Sequence, residues 1–598
     1  MRPRYLVLVS TGAEAAEGAQ RIAEQTGLRL AGCTPRFAVL VNKACGCLEI
    51  DGDGVVLGTL FHRHGPARAI QALGDAERNV LARGGTEALL KAYWGGYLAV
   101  RIQGGAVEIL RDPSAALPCY RVHAGGMAIL ASDVELLEMA GGAPEGVAWD
   151  ALGRILYSCG LPTIETALCG ITTLLPGSCV ALQDDTERAR PGWSPWDFVA
   201  PNAEEEAATT AERLRRVVEQ CVAAWASLYR HPLLSLSGGL DSSIVAACLA
   251  RAGSSATCMT MYTDDPIGDE RGFAQTVCTG LGLPLVDARY DLDAVDLGHA
   301  LGAHLPRPLG RAEAQPYETS HREVASRIGA DAFFTGNGGD NVFGFSQSAV
   351  ALADRALHEG PGAGAFATLR DICRQTGAGP LRVTRAAVAI ARRPPAYRWK
   401  PSPSFLHPDL IASLRDLELL HPWLETPPWA LPGRAVHIAG LARAHPTLES
   451  DRSRIAPVVN PLLSQPIIEA CLAIPSWQWR EGGRDRAMAR TAFADRLPSA
   501  IVERRVKGTP DPFCSEIVRR RRDELRERLM DGQLASHGIL DPGAIEEALR
   551  PGRPTASEQN VRLLELVNVE AWAAAWSPRR RGTPGQLGHQ RLQQQTGD

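Results

Sequence analysis

The segment His231–Ala250, HPLLSLSGGLDSSIVAACLA, constrains the fold more than any other stretch of the chain. It begins with a short apolar run, passes through a turn of Ser and Gly, and continues as an apolar run at helical spacing. A buried strand that turns directly into a helix is the unit from which parallel sheets covered by helices are built. The segment therefore predicts an open α/β sheet with a ligand site at the carboxyl end of this strand.

The character of the sequence changes near residue 200 and divides the chain into two regions. Residues 1–190 carry short apolar runs between Gly, Asp and Pro turns, which predicts antiparallel sheets stacked as a β-sandwich. Residues 191–204 are rich in Pro and charge and are predicted to be a linker. Residues 205–577 alternate buried-strand runs with helices and then become mainly helical, which predicts a parallel sheet with added helices. The polar residues 578–598 are predicted to be a disordered tail.

Composition argues against several classes of function. Hydrophobic residues make up 45% of the 598 and charged residues 22%, which are ordinary values for a globular protein. The net charge of -4 gives no reason to expect a nucleic-acid partner, and no apolar run is long enough to cross a bilayer. The first residues lack the features of a signal peptide, and the 14 cysteines show no framework spacing. We therefore expect a cytoplasmic protein with reduced thiols and without a membrane partner.

The turn SLSGGLDSS resembles a phosphate-binding loop but lacks the lysine of a Walker loop. Its two glycines allow backbone N–H groups to approach an anion, and the helix start that follows favours negative charge. The carboxylate of Asp241 would repel phosphates unless a cation lay between them, so we expect Mg²⁺ on Asp241 and on at least one further carboxylate. The residues predicted to hold the nucleotide are Ser237, Gly238, Gly239, Asp241, Ser242 and Ser243.

The segment DAFFTGNGGDNVFG, residues 331–344, repeats this pattern and supplies the second carboxylate. A short strand is followed by a glycine-rich turn and then by Asp340, and Gly336 leaves space for a ligand above the sheet. If the two strands are neighbours, Asp340 completes the metal site of Asp241. For either loop alone an ordinary glycine turn is an alternative, but their coincidence in one chain favours a nucleotide site.

Three residues in or after the strand run CMTMYT can each be interpreted in two ways. Asp269 and Glu270 either face the nucleotide or cap the next helix. Met261 is a candidate for packing against adenine, and an ordinary core position is the alternative.

These loops resemble those of the N-type ATP pyrophosphatases, and most of the chain is similar to the asparagine synthetase family. The segments LLKAYWGGYLAV, ILRDPSAALPCYRV and MAILASDVELL resemble, in order, parts of the family's glutaminase-like domain. The stretch from APVVNPLLSQ to VERRVKG resembles its late synthetase region. The resemblance implies an Ntn-hydrolase type of sandwich, ATP and Mg²⁺ as cofactors, and acyl-adenylate chemistry. It also implies that Lys507 stabilises the leaving pyrophosphate and the charge that develops at the α-phosphate.

One departure from the family pattern concerns the nitrogen source. The family's glutaminases use a cysteine at position 2 as the N-terminal nucleophile, whereas this sequence has Arg2 there. Cys33, Cys45 and Cys47 lie too far along the chain to take its place. We therefore expect residues 1–190 to be a degenerate class II glutaminase-like domain, with the attacking amine supplied by another substrate.

A second departure concerns Asn337, which stands where asparagine-forming relatives have glutamate and β-lactam-forming relatives have tyrosine. An amide can orient a reactant but cannot act as a general base at neutral pH. GNGGDN most resembles the lasso-peptide cyclases, in which a peptide's own amine attacks its adenylated Asp or Glu side chain to close a macrolactam. That resemblance implies a precursor peptide, a leader peptidase and a leader-recognition protein as partners. A β-lactam synthetase-like enzyme, an ammonia-dependent asparagine synthetase-like ligase and a non-catalytic relative are the alternatives.

Overall fold

The computed structural model describes residues 2–10, 15–183, 186–199, 206–263, 269–505, 511–551 and 556–577. The predicted tail, 578–598, and Lys507 lie outside these ranges. None of the helices in the described ranges is both long and apolar enough to cross a membrane.

The first 191 residues form two six-stranded sheets whose neighbouring strands are antiparallel. The strands are β1 Tyr5–Ser10, β2 Arg29–Cys33, β3 Phe37–Val41, β4 Cys47–Asp51, β5 Gly54–His62, β6 Tyr93–Gln103, β7 Ala106–Arg111, β8 Tyr120–Ala124, β9 Met127–Ala131, β10 Thr172–Thr173, β11 Ser178–Gln183 and β12 Thr186–Pro191. The sheet orders are β10-β8-β9-β1-β3-β2 and β12-β11-β7-β6-β5-β4. The helices of this half are α1 Ala15–Thr26, α2 Asp75–Ala92, α3 Val134–Met139 and α4 Trp149–Tyr157.

The two sheets stack face to face and are covered on their outer faces by helices. In β1 the alternate residues Tyr5, Val7 and Val9 face the second sheet, whereas Leu6 and Leu8 pack on the other side with residues of α1. Both faces of this strand are therefore buried, which explains why its sequence is apolar throughout instead of alternating. The predicted antiparallel sandwich is confirmed.

The second half is built on a five-stranded parallel sheet in the order β15-β14-β13-β16-β17. The strands are β13 Pro232–Ser235, β14 Thr257–Tyr262, β15 Leu285–Arg289, β16 Ala332–Phe334 and β17 Val458–Val459. Helices α5 Ala207–Ala226, α6 Leu240–Arg251 and α7 Arg271–Leu281 lie towards one face, and α8 Gln315–Ile328 covers the other. The predicted parallel sheet with helices on both faces is confirmed.

From residue 339 onwards the regular secondary structure of the described chain is helical apart from β17. The helices are α9 Gly339–Val342, α10 Val350–Glu359, α11 Ala363–Thr376, α12 Pro380–Ala391, α13 Pro408–Leu414, α14 Pro432–Ala444, α15 Gln465–Ala473, α16 Ala487–Ala492, α17 Ser499–Val502, α18 Asp511–Arg520, α19 Arg522–Met530, α20 Gln533–Ser536, α21 Pro542–Ala548 and α22 Ser557–Trp576. Short 3₁₀ turns connect several of them, including His445–Thr447 and Gln478–Gly483.

The stretch predicted as a linker packs into the core over its described part. Residues Pro195–Phe198 form a 3₁₀ turn, and both Trp193 and Trp196 are buried. The indole N–H of Trp196 donates to the carbonyl oxygen of Trp423 at 2.9 Å. This segment is therefore held against the second half by buried aromatic rings and hydrogen bonds.

One buried carboxylate, Glu469 on α15, gathers contacts from both halves of the molecule. Its Oε1 accepts from the indole N–H of Trp193 at 2.9 Å and from Gln465 Nε2 at 2.8 Å. Its Oε2 lies 2.5 Å from Nη1 of Arg63, which follows β5. A buried charge that loses its partner is strongly destabilising, so this ion pair is a point at which the two halves depend on each other.

We expect Glu469→Gln to lower the thermal unfolding midpoint markedly. The change leaves the half-buried guanidinium of Arg63 without a counter-charge, which costs on the order of 3 kcal/mol. Differential scanning calorimetry of the full chain measures the effect. The exposed Glu212→Gln is the matched control and should change stability by less than about 0.5 kcal/mol. Equal midpoints for the two variants would contradict the role given to Glu469.

Candidate functional site

Two glycine-rich loops meet at the carboxyl ends of adjacent parallel strands. Strand β13 pairs with β16 in the register Leu233 to Phe333, so the loops that follow them emerge side by side. The first loop leads into α6, which begins at Leu240, and the second leads into α9. The prediction of a shared metal site depends on the two strands being neighbours, and the structure shows that β13 and β16 are adjacent.

The glycines are required because the two loops touch. A Cβ atom on Gly336 would lie 2.6 Å from the backbone nitrogen of Ser242, and one on Gly339 would overlap the side chain of Asp241. Gly238 has a positive φ of 63°, and its Cβ position is taken by Phe273 on α7. Any side chain at these positions would push the loops apart or off α7.

Hydroxyl groups hold the first loop in shape. The backbone N–H of Gly239 donates to Ser237 Oγ at 3.3 Å, and that of Ser237 donates to Ser242 Oγ at 3.4 Å. The start of α6 follows directly and directs its unpaired N–H groups and the positive end of its dipole towards the space above the sheet. This arrangement favours an anion such as a phosphate group.

A cavity of about 360 Å³ opens above these loops. The predicted residues that line it are Ser237, Gly239, Asp241, Ser242, Met261, Gly336 and Asn337. Of the other described candidates, Gly238 faces α7, Ser243 is fully buried beneath the loop, and Asp340 borders a smaller cavity next to this one. Most of the residues predicted to bind the nucleotide therefore line one wall of this cavity.

Asp241 and Asp340 share one cationic atom, Nη1 of Arg486. This nitrogen lies 2.8 Å from Asp241 Oδ2 and 2.5 Å from Asp340 Oδ1. Arg486 adopts a positive φ of 50°, which is uncommon for a residue with a side chain and occurs where the surroundings enforce it. Burial opposes its charge, but the carboxylates of Asp241, Asp340 and Asp485 raise the pKa of Arg486.

The two carboxylates fit the predicted magnesium site. Because a single atom reaches both of them, a metal ion between them would be within reach of both as well. Mg²⁺ in nucleotide sites is commonly bound by one or two carboxylates together with substrate phosphates and water. Asp241 and Asp340 would then supply the protein ligands, and phosphate oxygens would complete the coordination.

The cationic wall of the cavity consists of arginines that the sequence reasoning did not single out. Arg504 donates to the carbonyl oxygen of Gly238 at 3.0 Å, pairs with Glu270 at 2.5 Å, and stacks 3.9 Å from the ring centre of Phe273. Arg486, Arg490 and Arg505 also line the cavity. No spacing rule marks these residues, although they lie inside the segment that carries the family resemblance.

The two acidic residues before α7 have different environments. Asp269 accepts from the backbone N–H of Arg271 at 3.0 Å and pairs with its guanidinium, and these hydrogen bonds lower the pKa of Asp269. Glu270 instead lines the cavity and contacts Arg504. Asp269 thus behaves as a local turn residue, and Glu270 is the one that faces the ligand space.

A neutral polar wall faces the loops from α8. His321 Nδ1 lies 2.8 Å from the carbonyl oxygen of Tyr317, and Nε2 lies 2.7 Å from Ser235 Oγ. A carbonyl oxygen can only accept, so Nδ1 carries the proton and Nε2 accepts from the serine hydroxyl. Burial lowers the pKa of His321 to about 3, so the imidazole is uncharged at neutral pH.

Arg2 is held by residues that follow β3 and β9, the two strands that flank β1 in the first sheet. The guanidinium of Arg2 lies 3.4 Å from Asp133, and the backbone carbonyl of Arg2 accepts from Asn42 Nδ2 at 2.8 Å. Burial raises the pKa of Cys45 to about 12, and it also raises the pKa of Cys119. These nearby thiols are therefore protonated at neutral pH and poor nucleophiles.

Comparison with known proteins identifies one family. The family model described as asparagine synthase matches residues 213–574, which is more than half of the chain. No curated protein matches. Among solved structures 41 chains match. One is glutamine phosphoribosylpyrophosphate amidotransferase from B. subtilis complexed with ADP and GMP, at 11% identity over 56% of this chain and 90% of that chain, with a TM-score of 0.21. Another is the allosteric regulatory enzyme of purine biosynthesis, at 9% identity over 56% and 89%, with a TM-score of 0.21.

We expect Gly336→Ala to weaken binding of ATP with Mg²⁺ by about tenfold or more, since separating the two loops costs on the order of 1–3 kcal/mol. Isothermal titration calorimetry of the purified chain measures the affinity, and circular dichroism checks the fold. The control is Gly272→Ala on α7, where a Cβ meets nothing within 4 Å. If Gly336→Ala binds ATP as tightly as Gly272→Ala, the interlocked loops do not form the nucleotide site.

Proposed function

The chain belongs to the asparagine synthase family of ATP-dependent, amide-forming ligases, and from that premise we propose that it closes a macrolactam ring within a peptide. The acyl donor is an Asp or Glu side chain of the peptide, activated as its adenylate. The acceptor is the peptide's own N-terminal amine. AMP and pyrophosphate are released.

The observation that carries the proposal is the position of Asn337. It lines the cavity beside Gly336, and its backbone N–H donates to Thr335 Oγ1 at 3.0 Å. An amide there can orient an acyl group or an amine but cannot accept the amine's proton. A reaction without a base at this position gains most from an amine that is already held beside the adenylate. Intramolecular orientation supplies effective concentrations on the order of 10⁵ M or more.

The N-terminal half supports an amine that does not come from glutamine. Arg2 is engaged with Asp133, and the neighbouring thiols of Cys45 and Cys119 are protonated at neutral pH. Hydrolysis of glutamine by this class of domain requires a reactive thiolate. A peptide that brings its own amine needs no such activity from residues 1–190.

The residues around the cavity have separable tasks in this reaction. The start of α6, with Ser237, Gly239 and Ser242, binds the pyrophosphate portion of ATP, and Arg486, Arg490 and Arg504 balance its charge. Mg²⁺ on Asp241 and Asp340 would neutralise phosphate charge and make pyrophosphate a better leaving group.

The chemistry then needs two displacements. The substrate carboxylate oxygen attacks the α-phosphorus, and the bond from that phosphorus to pyrophosphate breaks. The peptide amine attacks the acyl carbon, loses a proton and displaces AMP. Lys507, which lies outside the described residues, is proposed to stabilise the departing pyrophosphate. Met261 on β14 is proposed to pack against adenine.

The decisive experiment incubates the purified chain with ATP, Mg²⁺ and the core peptide of a precursor encoded beside its gene. We expect the peptide to lose the mass of one water while AMP and pyrophosphate form in equal amounts. The same peptide with an acetylated N-terminus should not cyclise, because it lacks the attacking amine.

AMP formation only with free aspartate and ammonia would identify an ammonia-dependent ligase instead. Cyclisation of a small β-amino acid would favour a β-lactam-forming enzyme. A genomic neighbourhood with a leader peptidase and a leader-recognition protein would fit the proposed partners.

We expect Asp340→Asn to reduce AMP formation by about 100-fold or more, because it removes one carboxylate from the proposed metal site. Added Mg²⁺ should partly restore the rate if the loss lies in metal affinity, and a titration of rate against Mg²⁺ measures this. The exposed Asp416→Asn is the control. A rate for Asp340→Asn equal to that of Asp416→Asn at every Mg²⁺ concentration would remove Asp340 from the site.

A further inference from the structure

The surface around helix α12 carries positive charge without nearby acidic residues in the sequence. Residues 372–408 contain seven basic residues and neither Asp nor Glu, although the whole chain has a net charge of -4. All seven are exposed, and within the described ranges none of them forms an ion pair. They are Arg374, Arg382, Arg385, Arg392, Arg393, Arg398 and Lys400.

The acidic residues of the helices that pack against α12 are engaged in other contacts. Helices α10 and α11 contain Asp354, Glu359 and Asp371. Asp354 is buried and accepts from the backbone N–H of Gly433 at 2.8 Å, and the buried Asp371 accepts from that of Gly482 at 3.2 Å. Glu359 lies 2.8 Å from Nε of Arg355 on its own helix. Each carboxylate of α10 and α11 thus has a partner other than the arginines of α12.

Helix α12 buries one side and exposes the opposite one. The inner side packs against residues of α10 and α11 through Val383, Ala387 and Ile390. At 3.6 residues per turn, the side that points away from this contact carries Leu381, Arg385, Val388 and Arg392. We call these four residues the α12 face. Leu381 is 62% exposed and Val388 is 42% exposed, so the α12 face presents apolar surface together with charge.

The spacing of the α12 face is that of a seam between two helices. Its members are four, three and four residues apart, so that an apolar residue and an arginine each recur after seven. A repeat of seven keeps side chains in line along a helix and lets a second helix pack beside it. The guanidinium group of arginine also matches the geometry of a carboxylate, with which it can form two parallel hydrogen bonds.

We propose that the α12 face binds an acidic amphipathic helix of another polypeptide. Carboxylates of the partner would pair with Arg385 and Arg392, and its apolar side chains would cover Leu381 and Val388. The other basic residues of the segment would attract the acidic partner over a longer distance and speed its association. None of the four residues of the α12 face lines the nucleotide cavity, and the proposal does not rest on the proposed ring closure.

Two other anionic partners match the α12 face less well. A helix that lies in a membrane surface presents a continuous apolar side, whereas here Arg385 separates Leu381 from Val388. The phosphate backbone of a nucleic acid offers charge but no apolar group that would cover these two side chains. An acidic helix supplies both the charge and the apolar surface.

The test measures the fluorescence anisotropy of a fluorescein-labelled peptide with the purified full chain. The peptide has three seven-residue repeats in which leucine stands first and glutamate fifth, with alanine and glutamine elsewhere to favour a helix. We expect saturable binding that weakens as NaCl is added, because salt screens exposed charges. The same peptide with glutamine in place of every glutamate should bind at least tenfold more weakly.

Two double variants test the two components of the α12 face. Arg385→Gln combined with Arg392→Gln removes both charges and should weaken binding of the acidic peptide at least tenfold. Leu381→Ser combined with Val388→Ser keeps the charges, removes the apolar surface, and should weaken binding about threefold or more. All four positions are exposed, and circular dichroism checks that the variants fold.

The matched control changes two exposed arginines of the N-terminal half, by combining Arg21→Gln with Arg83→Gln. Neither of them forms an ion pair in the described part of the chain, and this variant should bind the peptide as the unmodified chain does. If the Arg385→Gln, Arg392→Gln variant binds as tightly as this control, the binding site lies elsewhere and the proposal is wrong.

Further outcomes would also overturn the proposal. Absence of saturable binding up to about 1 mM peptide means that the α12 face holds no such helix. Equal binding of the glutamine peptide means that charge is not recognised, and unchanged affinity in the Leu381→Ser, Val388→Ser variant means that apolar contact is not. Duplex DNA or phosphatidylserine vesicles that bind more tightly than the peptide, and lose binding in the same arginine variant, would assign the face to a nucleic acid or a membrane.

Discussion

The contact of one guanidinium nitrogen with two carboxylates organises the candidate active site. Asp241 and Asp340 follow different strands, and Arg486 comes from a third segment far along the chain. Two carboxylates this close would repel each other without a cation between them, and the guanidinium supplies that charge. The positive φ of Arg486 shows that its backbone accepts an unfavourable conformation to reach this position. Arg486 thus holds the two loops together before the nucleotide arrives. A metal ion that bound together with ATP would contact the same two carboxylates.

Several features of the surrounding structure follow from this requirement. The loops can share a cation only because β13 and β16 are neighbours in the sheet. They can approach each other only because Gly336 and Gly339 have no side chains. Helix α6 begins inside the first loop and is buried along almost its whole length, so its N-terminus cannot shift without disturbing the core. Arg504 then holds the outer side of that loop through the carbonyl of Gly238. The site is therefore preorganised by packing of the sheet, the helix and the glycines together.

The sequence allowed good predictions wherever local pattern determines structure. Strand, glycine turn and helix start are all visible between His231 and Ala250, and the repeat of that pattern before Asp340 correctly indicated a second loop at the same edge. Side-chain direction within the loop is less predictable from the sequence, because Ser243 is fully buried in a helix that is buried along almost its whole length.

Contacts between segments that are distant along the chain could not be predicted from the sequence. Arg486 is 245 positions from Asp241, and nothing in its neighbourhood distinguishes it from other arginines. In the same way, Pro and charge between residues 191 and 204 predict a linker, but the burial of Trp193 and Trp196 within it depends on residues more than 200 positions away. Local propensity is a weak guide where tertiary packing decides.

The contacts between the halves explain why the N-terminal half is structurally necessary whatever chemistry it performs. The rings of Phe61 and Trp94 stack at 4.5 Å, and Trp225 of α5 meets the edge of Phe61 at 5.1 Å, so one aromatic cluster spans both halves. The buried Glu469 likewise depends on Arg63 for its counter-charge. Removal of residues 1–190 would expose the ring of Trp225 and leave the carboxylate of Glu469 without its counter-charge, and each change destabilises the parallel-sheet half. Whatever chemistry residues 1–190 perform, they cannot be lost without weakening the sheet that carries Asp241 and Asp340.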